Sequence, residues 1–427
     1  EIDRGARVNK SLSYRAACGF LSIIFLFLSG CNGAFLPAST TPTTLIPTST
    51  PMPEAMVVFR AQVPAPLSPG ETLFLAVLDE VIGLALNPAF YAMQAEDATH
   101  FSVSLPLPVN AVIKYRYSRH GTRQVHEHIS DGRSVRYRLY QVQGPGTVQD
   151  VISRWTDTSF NGPTGRISGK LVDEVGAPIP GVLVTAGGAQ TITDADGNYL
   201  LEGLPPGAHN LVAYAIDGAY QTYQQGAVVA AESTTPAPLR LIRAPLVRVT
   251  FFLSVPQGTF PAIPIRLAGN LSQLGNTYGD LAGGGSVSVN LMPVLLPLPD
   301  GRYALTMDLP EGAFVQYKYT LGDGLWNAEH DAQGKFVLRQ FIVSSSNTQI
   351  HDRVESWQSK NSAPITFDVT VPDTTPAGDF VSIQFNPAYG WTEPVPMWPI
   401  GKNRWMYVLF SPLQTVGAIG YRYCRNS

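Results

Sequence analysis

Cysteine and charge are both scarce in this sequence of 427 residues. Its three cysteines, Cys18, Cys31 and Cys424, are too few for a disulfide scaffold and too scattered for a thiolate zinc site. Charged residues make up only 14% of the chain, and the net charge is -3. Such a chain exerts no long-range attraction on phosphates, so we expect no nucleic-acid partner.

The sequence also has no helical stripe of apolar residues with capping signals, and its N-terminal apolar run is too short to span a membrane. That run covers Ala16–Leu28, whereas a membrane-spanning helix needs about 20 residues. A basic stretch precedes it, which is the layout of a secretory signal peptide, here residues 1–31. The basic residues are Arg4, Arg7, Lys10 and Arg15.

The segment Leu28-Ser29-Gly30-Cys31 resembles a bacterial lipobox. The resemblance implies that Cys31 is lipidated, and that the protein is exported and anchored to the cell envelope, facing away from the cytoplasm. Several acyl chains hold a protein on a membrane firmly, whereas one chain does not. Residues 32–54 are rich in Pro and Thr, a composition that stays extended and is typical of a spacer.

Glycine, proline and aromatic residues are abundant in the rest of the chain. The sequence holds 39 Gly and 35 Pro, and 10% of its residues are aromatic. Apolar and polar residues alternate in short runs such as Met56–Arg60 and Val112–Tyr117, with Pro-Gly and Asp-Gly breaks between runs. This pattern predicts an all-β protein of tandem antiparallel β-sandwiches, immunoglobulin-like or prealbumin-like in type.

Four units follow the spacer, at residues 55–157, 165–243, 244–358 and 363–427. The first, third and fourth are repeats, because each carries a Tyr-x-Tyr strand whose middle residue is basic. The first and third also share a closing Asp five residues before a Trp. The fourth has no such ending, so we expect it to be truncated. The strands with the shared pattern are Tyr115–Tyr117, Tyr317–Tyr319 and Tyr421–Tyr423.

The second unit resembles the carboxypeptidase regulatory-like domain, a small prealbumin-type sandwich. The resemblance rests on Gly176–Val182, Thr193–Tyr199 and Leu204–Gly207. It implies an accessory module without an active site. Within it, Asp196-Gly197 lies between two strand-like runs, which predicts a hairpin turn rather than a calcium loop.

The third unit is similar to the family 20 starch-binding module. The similarity rests on a Gly-Asn turn, a Leu-Gly pair, the Tyr-Lys-Tyr strand and a Trp-Asn-Ala-Glu step, Trp326–Glu329. It implies that Trp326 stacks on a sugar ring and that Lys318 binds hydroxyl groups. Asn327 and Glu329 follow closely enough to supply polar contacts at the rim. The family's second stacking Trp is replaced by Thr277, and the adjacent Tyr278 is its candidate substitute.

The fourth unit is rich in tryptophan, and Trp391 and Trp398 flank a Pro-rich loop. They are candidates for a second sugar-binding platform, with plain core packing as the alternative. His126 and His128 share one strand face, where a metal could bind, but an exposed polar strand explains them as well. We predict no metal and no cofactor.

No known catalytic constellation occurs in the sequence. We therefore predict a non-catalytic protein that binds polysaccharide, starch or a related α-glucan, and whose tandem repetition raises its avidity. Two alternatives stay open. The chain could be the non-catalytic front of a larger glycan-active enzyme, or it could be a structural or adhesive envelope protein whose sandwiches are spacers.

Overall fold

The computed structural model describes residues 52–78, 89–259, 263–275, 289–322, 327–359, 363–386, 391, 394–410 and 418–426. They lie within one compact unit, Pro47–Ser427. The described residues form β-strands and two short 3-10 turns, arranged as four successive pairs of sheets. This confirms the prediction of an all-β fold built from tandem sandwiches.

The first sandwich contains ten strands in two sheets, ordered β4-β5-β1-β9 and β10-β7-β6-β2-β3, with β8 paired to β6. Residues alternate between core and solvent along β1, where Val57 and Phe59 point inward. The strands are β1 Glu54–Gln62, β2 Thr72–Val77, β3 Ala89–Ala92, β4 Gln94–Ala95, β5 His100–Pro108, β6 Val112–His120, β7 Gln124–His128, β8 Arg138–Gln141, β9 Gly146–Val151 and β10 Arg154–Trp155.

The second sandwich has its own apolar core, and its sheets are ordered β14-β11-β17, with β18 also on β11, and β13-β12-β15-β16. Its strands are β11 Gly165–Val172, β12 Leu183–Ala186, β13 Ala189–Ile192, β14 Asn198–Leu204, β15 Gly207–Tyr214, β16 Tyr223–Val229, β17 Thr234–Pro236 and β18 Leu239–Arg240.

The Asp196-Gly197 turn is not a hairpin, which corrects the expectation from the sequence. It joins β13 to β14, and these two strands belong to opposite sheets. The Asp194 carboxylate accepts hydrogen bonds from the backbone N–H of Asp196 and Asn198, at 2.9 and 2.8 Å. Gly197 has φ +75°, so the left-handed backbone that favours glycine completes the turn.

The third sandwich repeats the strand arrangement of the first, with sheets ordered β21-β22-β19-β25 and β20-β23-β24. Two 3-10 turns, Ser272–Leu274 and Val289–Leu291, lie between β20 and β21. The strands are β19 Leu246–Ser254, β20 Arg266–Gly269, β21 Leu296–Pro297, β22 Tyr303–Pro310, β23 Phe314–Thr320, β24 Arg339–Ile342 and β25 Thr348–Arg353.

The fourth sandwich has two three-stranded sheets, ordered β26-β30-β29 and β28-β27-β31. Its strands are β26 Ile365–Thr370, β27 Val381–Asn386, β28 Val395–Pro396, β29 Trp398–Gly401, β30 Arg404–Leu409 and β31 Gly420–Arg425. Most strand pairs in the protein are antiparallel, but in each of the first three sandwiches a late strand pairs in parallel with the first. These parallel pairs are β1 with β9, β11 with β17 and β18, and β19 with β25.

The four sandwiches pack against one another through apolar side chains. The core of the third continues without a break into that of the fourth. Phe314 of the third packs in the core cluster of the first. Tyr137 and Leu139 of the first meet Leu183 and Val212 of the second in a smaller shared cluster. Burial at these boundaries favours a rigid arrangement rather than freely swinging modules.

Candidate carbohydrate-binding sites

Three of the residues singled out by the sequence, Trp326, Tyr278 and Cys31, lie outside the described residues. Their assignments as stacking platform, substitute platform and lipidation site stay predictions. In the part of the chain with described placement, no helix is long and apolar enough to cross a membrane.

Lys318 and Glu329 are buried, which corrects the expectations that Lys318 binds sugar hydroxyls and that Glu329 supplies a contact at the rim of a sugar site. Lys318 is on β23 and is 2% exposed, and Glu329 is fully enclosed. A side chain with no accessible surface cannot contact a polysaccharide on the outside of the sandwich. The function of both residues in this fold is therefore internal.

Asn327 is also fully buried, and its side chain joins the third sandwich to the fourth. Its amide Nδ2 donates to the carbonyl of Val408 at 2.8 Å, and its Oδ1 accepts from the backbone N–H of Phe410 at 3.0 Å. The amide thus pairs with the end of β30 as another strand would. This contact replaces the predicted sugar contact with a connection between sandwiches.

Glu329 belongs to a buried ionic cluster in the third sandwich, here called the third-sandwich cluster. Its members are Tyr317, Tyr319, Glu329, Arg339 and Asp352. The Arg339 guanidinium donates to Glu329 Oε2 at 2.8 Å and to Asp352 Oδ1 at 2.9 Å. Both tyrosine hydroxyls donate to Asp352 Oδ2 at 2.8 Å, and the backbone N–H of Tyr319 donates to Glu329 Oε1 at 3.0 Å.

The first sandwich contains the same arrangement, the first-sandwich cluster of Tyr115, Tyr117, Glu127, Arg138 and Asp150. Arg138 donates to Glu127 Oε2 at 2.8 Å and to Asp150 Oδ1 at 3.0 Å. Both tyrosine hydroxyls donate to Asp150 Oδ2 at 2.8 Å. The same five residue types thus occur in the same chain order and with the same bonding pattern in both sandwiches.

Burial and neighbouring charge fix the protonation of these clusters. Desolvation and the adjacent Asp150 carboxylate raise the pKa of Tyr115 and Tyr117 well above its usual value, so both hydroxyls remain donors. Complete burial raises the pKa of Glu329, although Arg339 opposes the shift. Because every carboxylate oxygen already accepts a hydrogen bond inside the core, these acids are placed for structure rather than for glycoside cleavage.

The two tryptophans proposed as a second platform occupy different environments. Trp398 is 1% exposed and packs on Tyr407 with ring centroids 5.0 Å apart, so its assignment as a surface platform is wrong. It begins β29, and the inward register of that strand places its ring in the core. Trp391, in contrast, is 44% exposed.

Polar groups suited to hydroxyl binding lie against one face of the Trp391 ring. The Arg422 guanidinium lies 4.3 Å from the ring centroid, a cation–π contact. Arg422 Nε also donates to Gln384 Oε1 at 2.7 Å, which fixes both side chains next to the ring. Arg422 lies on β31 and Gln384 on β27, two paired strands of the fourth sandwich.

Only one of the two candidate metal-binding histidines of the first sandwich, His128, has hydrogen-bond partners for its ring among the described residues. His128 Nδ1 lies 2.7 Å from the carbonyl of Gly132, and its Nε2 lies 3.3 Å from the hydroxyl of Ser134. His126 is half-buried, and desolvation lowers its pKa. Nowhere in the described ranges do three metal-binding side chains converge.

Residues 166–241 match the model of the carboxypeptidase regulatory-like domain. This confirms the resemblance inferred for the second unit, and the matched range coincides with the second sandwich, β11 to β18. The resemblance of the third unit to a starch-binding module stays a prediction. No curated protein matches the chain.

Several solved structures are similar to parts of the chain. A streptococcal ancillary pilin is 14% identical over 71% of this chain and 99% of its own, with a TM-score of 0.26. The family 15 glucoamylase of Hypocrea jecorina is 20% identical over 28% of this chain and 20% of its own, with a TM-score of 0.20. A minor pilin of Streptococcus agalactiae is 11% identical over 45% and 97%, with a TM-score of 0.19. At such TM-scores, these likenesses carry no argument about function.

Proposed function

We propose that this protein is a non-catalytic, cell-surface carbohydrate-binding protein that takes neutral glycans, α-glucans first among them. The lipid on Cys31 would hold it to the membrane, and residues 32–54 would space the sandwiches away from that surface. Trp326 and Tyr278 remain candidate platforms in the third unit. Lys318, Asn327, Glu329 and Trp398 are no longer candidates, because they are buried.

The exposure of Trp391 is the observation that carries this proposal. The other four tryptophans in the described residues lie in sandwich cores, at 9% exposure or less. The exposed part of this ring is apolar surface that a ligand could bury. The ring is flat enough to cover the C–H face of a pyranose.

Arg422 and Gln384 supply the polar half of such a site. The guanidinium donates hydrogen bonds only, whereas the amide both donates and accepts. A sugar hydroxyl can do both, so it can be bound by either group. The combination of one aromatic face with neighbouring donors and acceptors recognises a neutral polyol without requiring charge on the ligand.

Titration of the full chain, in nonionic detergent, with maltoheptaose would test this proposal. We expect Trp391→Ala to weaken binding by about tenfold or more, because a stacking contact is lost. Phe380→Ala is the matched control, since Phe380 is 42% exposed in the same sandwich. Trp326→Ala, tested in parallel, reports on the third-unit platform. Absence of binding to maltoheptaose, cellohexaose and xylohexaose by a folded sample would contradict the proposal.

A structural or adhesive role is the second candidate, and the continuous cores between sandwiches favour it. The apolar core that runs from the third into the fourth sandwich, together with the Asn327 connection, gives the rigidity that a stalk needs. Small-angle scattering would test this rigidity. A stalk requires a single extended length that is insensitive to glycan, whereas a broad distribution of lengths would argue against it.

A further inference from the structure

The first three sandwiches meet around a groove that no part of the proposed function uses. Its larger part is a cleft of about 600 Å³, within the range of small-molecule sites. A second cleft of about 300 Å³ shares Val112, Tyr214 and Phe314 with it, so the two adjoin. The two adjoining clefts together have the volume to hold a ligand of the size of a short oligosaccharide.

The walls of the larger cleft carry a single charged side chain among the described residues and are rich in amides. Asn110 and Gln143 come from the first sandwich, Tyr220 and Gln221 from the second, and Glu311 from the third. Glu311 is the only carboxylate among the described residues that line the cleft, and no Lys, Arg or His lines it. The larger cleft therefore offers no cation to a phosphate-bearing ligand, and Lys114 of the smaller cleft is the only basic residue among the described residues that line the groove.

Several polar side chains in this cleft are available to a ligand. The side chains of Asn110, Gln221 and Thr222 make no hydrogen bond to any other residue in the described ranges. Each offers both donor and acceptor capacity, which matches the dual character of a sugar hydroxyl. Tyr214 and Tyr220 add aromatic surface on the side of the second sandwich.

Hydrogen bonds between side-chain amides and backbone groups join the sandwiches that form the walls. Gln224 Oε1 accepts from the backbone N–H of Gln141 at 2.9 Å, which joins the second sandwich to the first. Gln273 Nε2 donates to the carbonyl of Asp217 at 2.8 Å, which joins the third to the second. A groove whose walls are already fixed binds with little ordering cost.

We propose that this groove is a second binding site, and that it takes the chain of a neutral oligosaccharide. This inference rests on the proposed function, because it assigns the same ligand class to a different place. The ligand would lie across three sandwiches, so a single bound chain would hold all three in their packed arrangement.

Hydrogen exchange of the full chain, with and without maltoheptaose, would locate the site in the wild-type protein. We expect slower exchange in peptides that cover 219–222 and 311–314. Gln143→Ala combined with Gln221→Ala removes two amides from the groove and should weaken binding about tenfold. Gln94→Ala with Gln333→Ala is the matched control, because both side chains are exposed outside the groove.

The outcomes separate this inference from the proposed function. The inference is supported if maltoheptaose protects the groove from exchange and if the groove variant binds it more weakly while the Gln94→Ala, Gln333→Ala control binds as wild type does. If maltoheptaose binds and Trp391→Ala weakens it, while the groove shows no protection and its variant binds as wild type does, the inference is overturned and the proposed function stands. If no glycan binds at all, both are overturned.

Discussion

The first and third sandwiches enclose the same ionic cluster but shelter it to different extents. The Arg138 side chain is 4% exposed in the first, whereas its counterpart Arg339 is 21% exposed in the third. Each cluster holds two carboxylates and one guanidinium, so each is an ion group in a medium that disfavours charge. The comparison indicates that the bonding pattern tolerates partial hydration at its Arg, while the tyrosine–carboxylate bonds stay enclosed.

The position of the clusters explains what they stabilise. In the first sandwich, Asp150 lies on β9 of one sheet, whereas Tyr115, Tyr117 and Arg138 lie on β6 and β8 of the other. The cluster therefore bonds the two sheets of a sandwich across its core. Apolar contacts alone would permit small shifts between the sheets, but directional bonds to Asp150 fix their register.

Removal of the arginine should produce the largest effect, and it tests whether the difference in exposure between the two clusters changes their stability. We expect Arg138→Met to lower the free energy of opening of the first sandwich by about 3–5 kcal/mol, because two carboxylates remain buried without a cation. Arg339→Met should lower that of the third by less, since water reaches the Arg339 site. Hydrogen exchange in peptides from β6 and β23 measures the two sandwiches separately.

Arg133→Met is the control for the arginine substitutions. Arg133 is 71% exposed and pairs with Asp131 on the surface, where an ion pair contributes little. Equal losses for Arg138→Met and Arg339→Met would show that the difference in exposure has no energetic consequence.

Deletion of one tyrosine hydroxyl should give an intermediate effect that is similar in both sandwiches. Tyr117→Phe and Tyr319→Phe each remove one donor to a buried carboxylate but keep the ring. We expect a loss of about 2 kcal/mol for each, typical of a hydrogen bond to a charged group. The same exchange measurement checks this. An effect confined to one sandwich would mean that the two Asp carboxylates are not held alike.

The sequence was sufficient to predict the all-β fold and the buried face of the Tyr-x-Tyr strands, but not the ionic clusters. Period-two alternation and the Tyr-x-Tyr pattern are each contained in a few consecutive residues, so they can be recognised in the sequence without knowledge of the fold. The sequence does not predict the burial of Arg138 and Arg339, because their partners are on other strands and no neighbouring residue indicates that an arginine is buried. Only their recurrence at matching places in the two repeats could have indicated them.

The misassigned site residues have a similar physical explanation. Trp398 follows a Pro-rich loop, which suggested exposure, yet strand register rather than composition decides which way a side chain points. Glu329 and Asn327 lie next to Trp326 in the chain, but each bonds a residue distant in sequence: Glu329 to Arg339, and Asn327 to the fourth sandwich. Proximity along the chain was therefore a poor guide to a shared surface.

The dependence of stability on pH should give the smallest effect, and it tests how the burial of Glu329 affects the third sandwich. Burial raises the pKa of Glu329 above its ordinary value of 4.5, so the folded protein binds this proton more tightly than the unfolded chain does. The stability that the proton contributes is complete below pH 4.5 and is lost as the pH rises through the raised pKa.

Glu329→Gln cannot titrate, so we expect the opening free energy of the third sandwich to fall less between pH 4.5 and 7.5 than in wild type. Peptides from β6 are the internal control, because Glu329→Gln changes the third sandwich and should leave the exchange of the first as in wild type. If Glu329→Gln showed the wild-type slope in β23 exchange, the proton would be bound equally in both states, and Arg339 would then balance the burial of its partner in full.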